Sequence, residues 1–279
     1  MRPWIDCHNH VGRTLNRLPP TGQSTAMALA RFAETNVYAS LSMPTATGGL
    51  MLRGLEDIRD QNRVIARAHR DFPAHVPLGL ALVEPCLGPV AVDEAEWALS
   101  ELGLHGIVSH PPVREACIPF VEMAAARGGL CNVHMHDALF GEIARMFPAA
   151  TFITHASSHA AEHFGGLDNV WFEVVQYPDE RGSRWDFAGL ADRVGRERII
   201  FGADLPYYDY RLLQQIIEQA PVDDDLKDRI AYRNMQELIR QYNPEWRMPD
   251  APPTAPRVYR AEELWAVAPE KPDRLTVYG

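Results

Sequence analysis

The sequence predicts an α/β fold: a (β/α)8 TIM barrel followed by a proline-rich C-terminal arm. Three observations lead there. Short apolar, β-branched segments recur eight times with helically spaced stretches between them, the pattern of parallel βαβ units whose right-handed crossovers close a barrel. Histidine or aspartate stands where several of these segments stop, and barrel strands deliver their chemistry at that end. The length of 279 residues suits one barrel. A doubly wound open sheet competes, but no GxGxxG or GxxxxGK loop follows any strand.

Taken in order, strands are expected at Trp4–His8, Asn36–Ser42, Val76–Val83, Gly106–Ser109, Cys131–His134, Thr151–His155, Val170–Val174 and Ile199–Gly202. Helices are expected at Leu55–Arg70, Asp93–Leu102, Glu115–Arg127, Leu139–Met146 and Arg211–Gln219. Asp223–Tyr242 reads as one closing helix, acidic in its first turn, with Ile230, Met235, Leu238 and Ile239 on one face. Residues 1–242 therefore form the catalytic domain. The composition changes at Asn243: seven prolines follow, with one short helical pattern at Arg260–Ala266, and such a tail makes no core of its own. Trp246, Tyr259, Leu264, Trp265 and Tyr278 nevertheless predict an ordered arm, residues 243–279, lying on the barrel or on a neighbouring subunit of a homodimer.

Composition narrows the partners. A formal charge of −10 disfavours nucleic acid and anionic membrane and leaves a small-molecule substrate. Four dispersed cysteines, Cys7, Cys86, Cys117 and Cys131, contain no CxxC pair and indicate neither disulfides nor a thiolate zinc site. No apolar run reaches membrane-spanning length, and a metal-type motif beginning at residue 6 leaves no room for a leader, so a cytoplasmic location is expected.

That motif is Asp6-Cys7-His8-Asn9-His10. Strand alternation places Asp6, His8 and His10 on one face, where two neutral imidazoles can meet one cation. Asp6, deeper on that face, is expected either to orient a ligand imidazole or to make an internal barrel hydrogen bond. The fifth strand runs into His134-Met135-His136, the sixth ends at His155, and the eighth leads into Asp204-Leu205-Pro206. A lone strand-end histidine is usually a satisfied polar residue; a set on several strand ends points to a metal. His110 and His136 lie just beyond strands four and five, and Arg13 and Tyr207 follow His10 and Asp204, so all four are candidate substrate contacts. Arg181 and Arg184, in the loop Pro178–Arg184, could line the pocket too. That loop and Leu15–Thr25 are candidate lids. His159 and His163 read as ordinary residues of the helix after strand six.

The ordered pieces IDCHNH, GLHGIVSHP, NVHMH, FITHASS, IIFGADLP and RIAYRNMQELI resemble the amidohydrolase superfamily, in its amidohydrolase-related branch of TIM-barrel hydrolases and decarboxylases, over residues 4–240. The resemblance implies one divalent metal, zinc foremost with manganese as the alternative, on His8, His10, His134 and Asp204. It also implies His155 and Asp204 as the catalytic pair. Strand four departs from the branch: Val108-Ser109-His110-Pro111 stands where a lysine is frequent, so no carbamylated lysine can bridge two metals and a single ion is expected. Hydrolysis of a lactone, amide or ester is the first expectation, with Asp204 moving the proton. It rests on the His-x-His pair and the short loop after strand one. Non-oxidative decarboxylation of an aromatic or enolic acid is the alternative.

Overall fold

The structure, a computed structural model, describes residues 2–13, 22–44, 53–109, 114–134, 138–175 and 185–254. Eight parallel strands appear in the expected order: β1 (Trp4–His10), β2 (Val37–Met43), β3 in two halves (Leu78–Gly79 and Ala81–Leu82), β4 (Gly106–Ser109), β5 (Leu130–Val133), β6 (Thr151–His155), β7 (Val170–Val174) and β8 (Ile199–Phe201). The expected third strand is broken at Leu80. Its first half pairs with β2 (Leu41 with Leu78) and its second with β4 (Leu82 with Val108), so β3 joins a three-stranded to a six-stranded sheet. Leu80 keeps a bond to Ser42 O, while Leu82 exchanges two with the side-chain amide of Asn62. At the far edge, a parallel bridge joins Asn9 to Leu205, and His10 N donates to Leu205 O at 2.9 Å. Strand one and the segment leaving strand eight are thus neighbours, as the TIM-barrel order requires.

Helices α1 (Thr25–Thr35), α2 (Leu55–Asp71), α3 (Pro89–Ser100), α4 (Ile118–Ala126), α5 (Ala138–Met146), α6 (Ser158–Phe164), α7 (Phe187–Val194) and α8 (Tyr210–Glu218) lie between or after the strands. α1 and the shorter α7 fall outside the expected set, but side-chain caps fix both starts: Ser24 accepts from Met27 N, and Asp186 from Gly189 N. The closing helix is not uniform. α9 (Asp224–Asp228), capped by Asp223, passes through a π-helical turn at Arg229–Arg233 into α10 (Asn234–Tyr242). Just past that turn, buried Asn234 donates to Arg196 O (2.6 Å) and Ile199 O (2.8 Å), tying the helix to the start of β8.

Alternation along the strands divides the core. Phe32, Ile107, Phe120, Phe152, Phe172 and Phe201 pack between sheet and helices. Ile5, Cys7, Leu41, Val108, Ile153 and Ile200 form a separate cluster with Met235, Leu238 and Ile239 of α10, which covers the strand starts. The opposite end, where strands stop, is left for chemistry. Of the C-terminal arm, the structure describes residues up to 254. Trp246 is 5% exposed and its Nε1 donates to Ala74 O at 3.0 Å, so the arm's beginning lies on the barrel. Tyr259, Leu264, Trp265 and Tyr278 lie outside the described residues. Among the described residues no helix is long and apolar enough to cross a membrane.

Candidate metal centre

Strand one does not keep simple alternation. Asp6 pairs with Ser40 and Asn9 with Ser42, so three steps of β1 match two of β2. Such a bulge re-aims side chains. Asp6 accordingly does not share a working face with His8 and His10, which corrects one of its two expected roles. Its Oδ1 accepts from His8 N (2.9 Å) and Ala203 N (3.0 Å), and its Oδ2 from the Tyr210 hydroxyl (2.7 Å). These are the internal barrel bonds of the other expectation. Burial pushes this carboxyl up to about 6, against those donors. Asp6 thereby locks β1 to the segment after β8, the two pieces of chain that carry His8, His10 and Asp204.

Those three residues converge. His8 Nε2 lies 3.0 Å from His10 Nε2, His10 Nε2 3.1 Å from Asp204 Oδ1, and His8 Nε2 3.5 Å from the same oxygen. Donors at about 2.0–2.1 Å from a tetrahedral zinc are separated by about 3.3 Å, so the triangle has the dimensions of one face of a coordination sphere. The other ring nitrogens are already engaged: His10 Nδ1 donates to Pro44 O at 3.1 Å, and His8 Nδ1 meets Glu173 Oε2 at 2.9 Å. Both Nε2 lone pairs are thereby directed at the shared point. Asp204 adopts φ = +52°, a left-handed conformation few side chains take and one that functional sites hold in place.

His134 and His155 complete the cluster at the ends of β5 and β6. The His155 ring stacks on His8 at 5.3 Å and 12°, and His134 stands edge-on to both, 5.2 Å from His8 and 5.0 Å from His155. Two donor groups share His8: His8, His10 and Asp204, and His8, His134 and His155. Each could hold an ion.

The electrostatics favour a cation. Burial opposes charge on His8, but Glu173 and Asp204 outweigh it and push the imidazole up to about 9. Asp204 is lowered below the usual carboxylate range despite burial, chiefly by His8 and His10, and Glu173 is held well below that range, against its own burial, by His8 and His155. His10 is lowered, first by burial. Two buried carboxylates facing a set of imidazoles call for positive charge at the centre. The residues present fit a divalent metal.

Glu173 was not legible as a site residue from strand-end position. It sits inside β7, in register with His155, and is 1% exposed. The available signal is one acidic residue within the apolar run Val170-Trp171-Phe172-Glu173-Val174-Val175. Tyr207 lies beside the centre, its ring 5.7 Å from that of His10. The backbone of Arg13 belongs to a two-residue antiparallel ribbon with Gly22–Gln23, but its side chain lies outside the described residues, as do His110, His136, Arg181 and Arg184. The rings of exposed His159 and His163 lie 4.1 Å apart, tilted by 34°, along α6 and belong to neither donor group.

The sequence profile of the Amidohydrolase family matches residues 5–240. The chain belongs to this family. Solved structures similar to it include 2,6-dihydroxybenzoate decarboxylase from Rhizobium (12% identity, TM-score 0.69) and 5-carboxyvanillate decarboxylase from Sphingomonas paucimobilis (15%, TM-score 0.65), each aligned over 86% of this chain and 99% of its own. A third, dihydroxybenzoic acid decarboxylase from Polaromonas sp. JS666 with bound manganese and 2-nitroresorcinol, is 14% identical over 86% of this chain and 97% of its own, with a TM-score of 0.65. At these identities the likeness is one of fold. No curated protein matches the chain. This member of the Amidohydrolase family is a metal-dependent enzyme of TIM-barrel architecture.

Proposed function

We propose that this amidohydrolase-family protein is a metal-dependent lyase that removes the carboxyl group of a small hydroxylated aromatic or enolic acid without oxidation. The observation that carries the reading is His155: an imidazole set against a buried carboxylate, stacked on the donor triangle but outside it. Decarboxylation needs a proton held beside the carbon that loses its carboxyl group, and an imidazole next to the metal donors would supply it. The decarboxylases of like fold, one of them with manganese, support the choice.

His8, His10 and Asp204, with His134, would hold one zinc or manganese ion. Bound there, the ion would draw in the anionic substrate and stabilise charge on the oxygen beside the carboxyl group. Asp204, kept ionised by His8 and His10, is not an acid at neutral pH. His155, with Nδ1 turned to Glu173 at 3.0 Å, would offer its Nε2 to the substrate. As the carbon–carboxyl bond breaks, its electron pair stays on the carbon, the proton from His155 forms the new C–H bond, and carbon dioxide leaves. Tyr207, with Arg13, His110 and His136, would contact the rest of the substrate.

The His8-Asn9-His10 pair favours a second reading, hydrolysis of a lactone, amide or ester, in which ionised Asp204 takes the proton of the attacking water. Product analysis separates the two. Manganese- or zinc-loaded protein, offered hydroxybenzoates and small lactones, is expected to release carbon dioxide in step with acid consumed, and chelation should stop it. Acid release from the lactones, with no carbon dioxide from any hydroxybenzoate, would reverse the order of the readings.

A further inference from the structure

Four contacts meet on the Glu173 carboxylate. His8 Nδ1 lies 3.0 Å from Oε1 and 2.9 Å from Oε2, His155 Nδ1 lies 3.0 Å from Oε1, and the Cys7 thiol donates to Oε2 at 3.3 Å. Room for them depends on Gly202, just past β8. A Cβ there would come within 2.9 Å of Cys7 Sγ, 3.2 Å of His8 Cβ and 3.3 Å of Glu173 Oε2. The glycine and the carboxylate therefore form one fitted arrangement under two nearly parallel rings.

We propose that Glu173 is a positioning residue that sets the metal-side imidazole of His8 and the proton-transfer imidazole of His155 as a single unit. The inference rests on the metal site proposed above. The chemistry is specific to a carboxylate. Its two oxygens can each accept an N–H, so both histidines can donate from Nδ1, which turns the Nε2 of His8 toward the metal and the Nε2 of His155 toward the substrate. An amide of the same shape has one acceptor oxygen. In Glu173→Gln, one imidazole must face the NH2 group and accept with Nδ1: a His8 so turned carries its proton on Nε2 and cannot bind a metal, and a His155 so turned loses the carboxylate that supports its proton-donating form.

The test uses zinc-loaded protein and zinc alone as the probe. Glu173→Gln should bind zinc 10- to 100-fold more weakly in chelator competition, the usual scale for losing a partner of a ligand histidine. Imidazole nitrogen NMR should find Nδ1 protonated at both positions in the wild type, and one of the two Nδ1 atoms bare in the variant. The chelated variant should melt within a few degrees of the chelated wild type, which a residue serving only the fold would not allow. Gly202→Ala removes no hydrogen-bonding group and should weaken zinc in the same direction, so it carries the test should Glu173→Gln fail to fold. Wild-type zinc affinity with unchanged tautomers in Glu173→Gln, or unchanged affinity in Gly202→Ala, would overturn the proposal. A wild type that binds no zinc would instead overturn the metal reading beneath it.

Discussion

Histidines cluster at both ends of this barrel, and the two clusters differ in one respect. At the strand ends, the His8 and His10 rings lie 4.8 Å apart at 72°; at the strand starts, the His69 and His105 rings lie 4.9 Å apart at 83°. The ring geometry is nearly the same. The partners are not. At the strand ends the imidazoles meet the carboxylates of Glu173 and Asp204. At the strand starts they meet backbone: His69 Nδ1 donates to Val76 O, His75 Nδ1 to Tyr38 O, and His105 Nδ1 accepts from Gly79 N. The consequences run in opposite directions. Glu173 and Asp204 push His8 up to about 9, whereas burial, with His69 beside it, pushes His105 down to about 4. One cluster is built for a positive charge, and in the other burial keeps it off His105. Proximity of imidazoles does not make a metal site; built-in negative charge does.

The largest effect should come from breaking the triangle. His8→Ala or His10→Ala each removes one of three donors held 3.0–3.5 Å apart, and each should cost at least a hundredfold in metal affinity. His105→Ala, the matching change at the other end, should leave metal content at the wild-type level. Elemental analysis of the three purified variants checks this. Full metal retention in both His8→Ala and His10→Ala would erase the distinction between the clusters.

A second substitution sharpens the picture inside the strand-end cluster. His155→Ala should keep the metal and lose about a hundredfold or more in kcat, the scale of a lost general acid or base. His134→Ala should instead lose metal. Equal metal loss from both variants would make His155 a ligand, since the donor group His8, His134 and His155 is as compact as the other.

How far the sequence could reach follows from the same contrast. Strand ends are legible because an apolar run stops at a polar residue, and that is how the sequence offers His8, His10, His155 and Asp204 as candidates. Glu173 was not, because its meaning lies in His8, 165 positions away, and in a register that no local pattern encodes. The bulge in β1 defeated period-two reasoning for Asp6, because alternation assumes an unbroken ladder. The break in β3 escaped for a related reason: Val76–Val83 is apolar throughout, and only the pairing with two neighbours at different heights divides it. His105 stands in the sequence as one polar residue just before an apolar strand. Nothing in its local sequence announces the burial that keeps it neutral.

That neutrality gives the smallest and most specific expectation. His105 has a folded pKa of about 4, below its ordinary 6.5, so between these values the unfolded chain binds more protons than the folded one. Stability from this group is fully present above pH 6.5 and is lost as pH falls from 6.5 towards 4. At 1.36 kcal/mol per unit, the loss over that window is about 2–3 kcal/mol after allowing for partial solvation of the ring. Protonation would also remove the lone pair that accepts from Gly79 N at 3.2 Å. His105→Asn keeps an acceptor near that position and cannot titrate. In chelated protein, so that loss of metal adds nothing to the acid effect, the difference between wild type and variant in urea unfolding at pH 7.5 and 4.5 isolates His105. The variant should lose about 2–3 kcal/mol less than the wild type on acidification. An identical acid loss in both would mean that His105 takes up its proton as readily when folded as when unfolded, and the two histidine clusters would then differ less than their partners imply.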